Sequence, residues 1–360
     1  MANMADHPYR HLPDSAFWRR AVASSGAEVD PMAGAFLRIT RQDKVATAGS
    51  CFAQHVARHL AASGFNYLVT ESAHPILPPD LARAAGYGVY SARTGNIYTT
   101  LQLVQLFDRA YTQFLPVEDV WAAPDGKHVV DPFRPTIQPG GFASEAEMRA
   151  DRAQHLGRVR EMFETLDIMV FTLGLTEAWV SQTDGACFPL CPGVAGGLFD
   201  PGLHAFRNLR MAEVRAQIGA FVDRLRSVNP AARLVLTVSP VPLAATASGD
   251  HVLPATIYSK SVLRAAAQET AEDLPGVFYF PSYEIVTGPQ ARGRFFAEDL
   301  REVTEEGVEH VMRVFLRHAG GVETSAPMHA GTPGGDAFTL EMSHWVETLC
   351  DEAMLDSEHA

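Results

Sequence analysis

Residues 44–71 read KVATAGSCFAQHVARHLAASGFNYLVTE, and this stretch decides the fold. Its opening, KVATAG, is short and partly β-branched, as a strand requires. Phe52, Val56 and Leu60 then recur every four residues, one apolar stripe at helical period, and Gly64 follows as the stop. NYLVTE (66–71) reads as a second strand. The order is strand, turn, helix, strand, with Ser50 at the turn.

The alternation continues downstream. TTLQLVQLFDRAY (99–111) reads as a helix, and Ser144–Glu147 is a capping box that opens another to about 166. IMVFTLG (168–174) is a continuous apolar run, suited to a strand buried on both faces. A helix at 211–228 carries Met211, Val214, Ile218, Phe221, Leu225 and Val228 on one stripe. RLVLTVSPVP (233–242) reads as a strand, 260–274 as a helix and GVFYFPSY (276–283) as a strand. Thr304, with Glu305 and Glu306 behind it, caps a helix to about 317. Five strands separated by helices predict an α/β fold, three layers α/β/α around a doubly wound, mostly parallel five-stranded sheet. Ligands of such sheets sit outside the carboxyl ends of the strands, where Ser50, Gly174, Ser239 and Ser282 all fall.

Around this domain (41–318), residues 1–40 read as an N-terminal arm with aromatic anchors Tyr9, Phe17, Trp18 and Phe36. Irregular insertions at 72–143 and 181–208 are long enough to suggest a functional role. Residues 319–337 read as a linker, and 338–360 as an amphipathic helix and tail. Leu340, Trp345 and Leu349 suit packing on the same domain or on a second subunit of a homo-oligomer.

The formal net charge is −13 and the pI about 5.5. Nucleic-acid binding needs clustered Lys and Arg, so the charge argues against that class and disfavours adsorption to anionic membranes. No run of about 18 apolar residues is present, so no membrane span is expected. The N-terminus lacks an apolar leader core, which points to the cytoplasm. Of the four cysteines only Cys187 and Cys191 are close, and no second pair completes a zinc spacing. Reduced thiols are expected, with no metal and no cofactor. His55 and His59 lie one turn apart but lack a third ligand, so they read as a solvent-facing pair.

Gly49-Ser50-Cys51-Phe52-Ala53 is the run that names the GSCFA family, and it is complete here. Further matching text follows in order: Gly95 to Thr99, TLGLTEAW (Thr172 to Trp179), TVSPVP, Tyr258 to Ser261, and Phe280 to Ile285. On these marks, spanning about 45 to 316, the chain resembles that family, which is itself similar to SGNH/GDSL-type serine hydrolases of flavodoxin-like fold. The resemblance implies a serine esterase or O-acyltransferase acting on an ester of a small molecule or carbohydrate, with an acyl donor in the transfer case. Ser50 takes the nucleophile's place, and the resemblance implies that its own N–H, a second-block glycine N–H and the third-block side chain stabilise the oxyanion. Gly95, beside Asn96, is the candidate second-block glycine, and Gly174-Leu175-Thr176-Glu177 occupies the third block, with Thr176 where Asn is usual. In the fourth block Asp299-Leu300-Arg301-Glu302 stands at the Asp-x-x-His place, so Glu302 replaces the base.

A serine needs a base within hydrogen-bond reach, and a carboxylate is too weak unless its surroundings raise its pKa. His251, in the loop after TVSPVP, and His74, after the second strand, fall at the same sheet edge and are alternative bases or binding groups. Cys51, near a helix N-terminus, is an alternative nucleophile. The plainer readings are that Ser50 is an N-cap, Cys51 a core residue, and His74 and His251 solvated loop imidazoles. Asp299 reads plainly as a loop-orienting residue, Glu302 as an arginine's salt-bridge partner or a solvated acid before a helix cap, and Arg134, Arg292 and Arg294 as solvated surface. The rival to an enzyme is a non-catalytic ligand-binding protein on the same scaffold that has lost its histidine.

Overall fold

The computed structural model describes residues 7–34, 36–320 and 354–355. The predicted linker beyond Gly320 and nearly all of the C-terminal helix lie outside them. The chain divides into two compact units, one of residues 40–280 and one that joins the arm up to Ile39 with the segment from Pro281.

In the larger unit, β1 (Val45–Gly49) is followed by α1 (Phe52–Ala62), α2 (Pro79–Ala84), α3 (Thr100–Ala110), β2 (Trp121–Ala122) and β3 (Val129–Val130). Then come α4 (Glu145–Thr165), β4 (Ile168–Leu173), β5 (Glu177–Ser181), β6 (Cys187–Phe188) and β7 (His204–Asn208). The unit closes with α5 (Met211–Val228), β8 (Arg233–Val238), α6 (Val252–Asp273) and β9 (Val277–Phe280). The central sheet is parallel, in the order β1-β4-β8-β9, with Val45 opposite Ile168 and Ile168 opposite Arg233. All six residues of β4 are buried, which is why its run is apolar without alternation.

The sheet has four strands, not five. NYLVTE contributes one parallel bridge, Val45 to Tyr67, on the free edge of β1. Val45 N–H donates to Asn66 O and Leu68 N–H to Val45 O, both at 2.9 Å. The backbone then leaves the sheet, because the Thr70 N–H and hydroxyl both turn to Ser91 O, at 2.8 and 3.2 Å. The bridge still fixes the winding: the chain steps from β1 to one side at Tyr67 and afterwards to the other at β4. This reversal makes the gap between β1 and β4 the topological switch point, where open α/β sheets bind ligands.

Phe52, Val56 and Leu60 of α1 are buried as their period predicts, and α1 packs on β1 and β4. The α5 stripe is buried at Val214, Ile218, Phe221 and Leu225. An aromatic chain joins α3, α4 and α5, with Phe107 to Phe163 at 5.5 Å and Phe163 to Phe221 at 5.7 Å between ring centroids. The insertion at 181–208 is not irregular. With β5 it forms a three-stranded antiparallel sheet, β6-β5-β7, whose hairpin turns through Asp184-Gly185. The other insertion carries α2 and the β2–β3 ribbon.

The smaller unit holds short helical turns at Pro8–His11, Asp14–Ala16 and Arg19–Ala23, then α7 (Ser282–Thr287) and α8 (Glu305–Gly320). Asp30 accepts from Arg317 and His318, both at 2.8 Å, Val29 O bonds His310 Nε2 at 3.1 Å, and Phe36 meets the Phe315 ring edge-on. These contacts fasten the arm to α8.

Candidate active site

The site begins with a glycine that the chain geometry demands. Gly49 ends β1 at φ +135°, and a Cβ there would lie 2.7 Å from Thr172 N and 2.9 Å from Thr172 Cα. Only glycine lets β1 approach β4 this closely and then release the chain into α1. Ser50 extends the ladder by one bond, its N–H donating to Thr172 O at 3.1 Å. Cys51, not Ser50, occupies the N-cap position, and no side chain caps α1. The Ser50 hydroxyl is buried and, among the described residues, has no hydrogen-bond partner. An N-cap role is thereby removed.

Ser50 meets the turn after β4. Gly174 lies so near that a Cβ on it would stand 3.1 Å from Ser50 Cβ and 3.0 Å from Tyr98 O. Gly174 N–H and Leu175 N–H both donate to Tyr98 O, at 3.0 and 3.1 Å. Helix α6 holds this turn from the other direction. Ser259 Oγ accepts from Thr176 N–H at 2.9 Å, and Lys260 Nζ donates to Gly174 O at 2.6 Å. Thr176 was expected to donate toward an oxyanion, but its hydroxyl proton goes to Asn208 Oδ1 at 2.6 Å. Glu177 accepts from Thr246 Oγ1 at 2.5 Å and Ala247 N–H at 3.2 Å, fastening the loop that follows β8.

Within this unit, Ser50, Cys51, Tyr98, Gly174, Leu175, Ser239, Lys260 and the loop residues Val241, Pro242 and Leu243 line one cavity of about 10 Å³. That volume holds a water at most. None of these lining residues carries an imidazole or a carboxylate.

The second-block candidates lie off this cavity. Gly95, at φ +65°, faces the Arg134 side chain. Asn96 Oδ1 accepts from the Tyr90 hydroxyl, which lies 3.4 Å from Ser50 O, and from Gln54 Nε2 at 3.4 Å. Asn96 thus reaches the Ser50 backbone through Tyr90.

The histidine candidates are surface groups. His74 Nδ1 accepts from Ile76 N–H at 3.2 Å in a turn. His251 is exposed and is the N-cap of α6, its Nδ1 accepting from Leu253 N–H at 3.1 Å. Nine residues at 1.5 Å each put it about 13 Å along the helix from Lys260. In the smaller unit, Asp299 is exposed and its Oδ1 accepts from Arg301 N–H and Glu302 N–H, at 2.9 and 3.0 Å. That bond pattern organises a turn with Leu300 at φ +56°. Glu302 O accepts from Ala297 N–H, and Glu302 itself is half-buried.

Two charge expectations change. Arg134 is buried, not solvated, and pairs with Asp131 at 3.1 Å and Asp151 at 2.8 Å. His55 is buried rather than solvent-facing, and burial, aided by Arg58, pushes its pKa down to about 3. Arg292 and Arg294 are exposed as expected, Arg294 pairing with Glu306. No group of His, Cys, Asp or Glu among the described residues is arranged to hold a metal, and the described cysteines are free thiols.

Two features were missed from sequence. One is Lys260; a cation on the buried face of α6, among Ala255, Ser259, Val262 and Leu263, was the available signal. The other is an ionic cluster beneath the Arg93–Asn96 segment, joining Glu71, Arg93, Asp131, Arg134, Asp151, Arg152 and His155. Glu71 Oε2 accepts from His155 Nδ1 at 2.7 Å and Arg93 N–H at 2.8 Å, and Arg93 Nη1 bonds Asp151 at 2.7 Å. Burial tends to raise the Glu71 pKa, but the His155 bond and nearby Arg134 bring it down to about 2. Burial lowers that of His155 to about 4.

A model of the GSCFA family matches residues 44–315. No curated protein matches the chain. Among solved structures, a family 3 carbohydrate esterase of Clostridium thermocellum is similar over 78% of this chain and 94% of its own, at 10% identity and a TM-score of 0.33. A family 3 carbohydrate esterase from Talaromyces cellulolyticus is similar over 76% of this chain and 94% of its own, also at 10% identity and 0.33.

Proposed function

The chain belongs to the GSCFA family, and on that premise we propose that it is an SGNH-like serine esterase or O-acyltransferase with Ser50 as nucleophile. Its substrate is an ester of a small molecule or carbohydrate. The observation that carries this reading is the Ser50 hydroxyl itself. It sits at the switch point of the sheet, beside the N-terminus of α1, and no hydrogen bond among the described residues uses it.

In this reaction Ser50 Oγ attacks the acyl carbon, the alcohol leaves, and an acyl-Ser50 intermediate forms. Water then completes hydrolysis, or a second hydroxyl completes transfer. The dipole of α1 favours the developing oxyanion. Ser50 and Cys51 line a small cavity of about 10 Å³ together with Gly174, Ser239 and Lys260. The loop from Ser239 to Asp250 supplies one irregular wall, and Glu177 restrains it. Glu302 keeps the place of the family's base and is a weak one. His251 suits that role poorly, because its Nδ1 caps α6.

One observation favours the rival reading, a ligand-binding protein without catalysis. Ser50 N–H and the Thr176 hydroxyl, both expected at an oxyanion, are bonded inside the fold. Hydrolysis of p-nitrophenyl acetate and of acetylated sugars by wild type and Ser50→Ala separates the two. The enzyme reading expects a loss of at least about a hundredfold in kcat/KM in the variant. Equal rates would leave the binding protein.

A further inference from the structure

A buried arginine is normally paired with a carboxylate, and α3 carries one that is not. Arg109 is 7% exposed, and its Nη2 is wholly buried with no hydrogen-bond partner among the described residues. The Phe133 ring covers one face of its guanidinium, 3.7 Å from the ring centroid to the central carbon. A ring on that face leaves the N–H edges, which lie in the guanidinium plane, to be met by something else. The neighbouring arginines are all paired: Arg93 with Glu71 and Asp151, Arg134 with Asp131 and Asp151, and Arg152 with Asp131 and Asp119. Asp131 attracts Arg109 without bonding it, and its oxygens are already taken by Arg134 and Arg152.

Arg109 lines a second cavity of the larger unit, about 20 Å³, with Gln102, Gln105, Phe133, Arg134 and His155. Two arginines and no carboxylate stand in its lining. We propose that this cavity binds one halide-sized monoanion such as chloride, with Arg109 as its countercharge and Gln102 as a second donor. Gln102 is oriented by the capping box of α3, where Tyr98 N–H and Thr99 N–H both donate to its Oε1, at 3.1 and 3.0 Å. Two backbone donors fix which end of the amide is oxygen, and no bond among the described residues uses Nε2. Gln105, in contrast, spends both ends, accepting from Cys187 N–H and donating to Gly185 O, each at 2.8 Å. Gln102 and Arg109 share one face of α3, two turns apart, and side chains on a helix lean toward its N-terminus, so Arg109 extends back toward Gln102.

Size and charge select the ligand. About 20 Å³ is room for one water-sized species, the scale of a halide. Water would serve the other unbonded atom of the lining, His155 Nε2, which carries a lone pair while Nδ1 donates to Glu71. It would leave the Arg109 charge without a counterion. A halide neutralises that charge, through N–H bonds roughly twice as strong as neutral ones. Burial, with Arg152 and Arg134 adding to it against Asp131, brings the Arg109 pKa down to about 9. The cation is therefore held at a cost that an adjacent anion relieves.

The test is a set of thermal melts of the full chain at constant ionic strength, with sodium chloride or bromide replacing sodium gluconate. The wild-type midpoint is expected to rise saturably in either halide, by about 2 °C or more. Arg109→Met removes the charge, and Gln102→Glu keeps the capping box while setting a carboxylate at the cavity. Both variants are expected to lose the halide response. Should Arg109→Met not fold, Gln102→Glu decides, and crystals of wild type grown in bromide are expected to show an anomalous peak beside Arg109 in any case. A wild type that melts alike in halide and gluconate holds water only, which would overturn the site. A halide response as large in both variants as in wild type, or bromide peaks only elsewhere, would overturn it equally.

Discussion

Lys260 Nζ donates to the carbonyl of Gly174 at 2.6 Å, and Gly174 in turn lies against Ser50. One helix, one turn and one serine are thereby held in a single arrangement. The glycine is the tightest member. Gly174→Ala sets a Cβ 3.0–3.1 Å from Tyr98 O, Tyr98 Cα and Ser50 Cβ, two of them backbone atoms that yield little. We expect a loss of about 1–3 kcal/mol by overpacking, read as a lower thermal midpoint, together with slower labelling of Ser50. A variant equal to wild type in both would contradict this packing.

Gly49→Ala is predicted to be worse. It combines φ +135° with contacts under 3 Å to the Thr172 backbone, so neither rotation nor a side-chain shift relieves it. Backbone strain of about 1–3 kcal/mol adds to the clash. Soluble expression and a urea melt check this, and a folded variant of wild-type stability would show that β1 and β4 are not so close.

Acid should weaken the fold well above the carboxylate range. His55 and His155 titrate near 3 and 4 in the folded chain, against about 6.5 unfolded, both chiefly because of burial. For a histidine whose folded pKa is depressed, the unfolded form binds the extra proton. Stability is therefore complete above about pH 6.5 and falls as pH drops toward 4. Each group contributes about 1.4 kcal/mol per pH unit within that window. Urea midpoints at pH 7, 6 and 5 measure the slope. His155→Gln, which can still donate to Glu71, should reduce it by one group.

Much of this was readable because strand ends are readable. The β-branched run before Ser50, the unbroken apolar run before Gly174 and the 3.6 period of α1 and α5 are local patterns, and topology carries them to one edge. NYLVTE misled because β propensity does not say whether a neighbour is present; among the described residues only Val45 pairs there. The 177–208 sheet carried a signal that was passed over, Asp184-Gly185 between Trp179-Val180 and Cys187-Phe188. Helix α6 starts at Val252 rather than 260. Pro254 is tolerated in its first turn, while Thr256, Ile257 and Tyr258 disguise its period. The Glu71–His155 pair, 84 residues apart, has no local signature at all.

Glu177→Ala is expected to release the loop over the cavity. Its carboxylate makes two bonds, to Thr246 and Ala247, and no other described bond replaces them. Hydrogen exchange of residues 240–250 should quicken while the strands of the central sheet stay protected. Unchanged exchange in that loop would mean that Glu177 does not restrain it.

Peptide mapping after fluorophosphonate treatment tests Ser50 as nucleophile at a single residue. The prediction is one adduct, on Ser50, lost in Ser50→Ala and slowed by competing acetyl ester. An intact wild-type mass, or an adduct that maps to Cys51 or any other residue, would show that Ser50 is not the nucleophile.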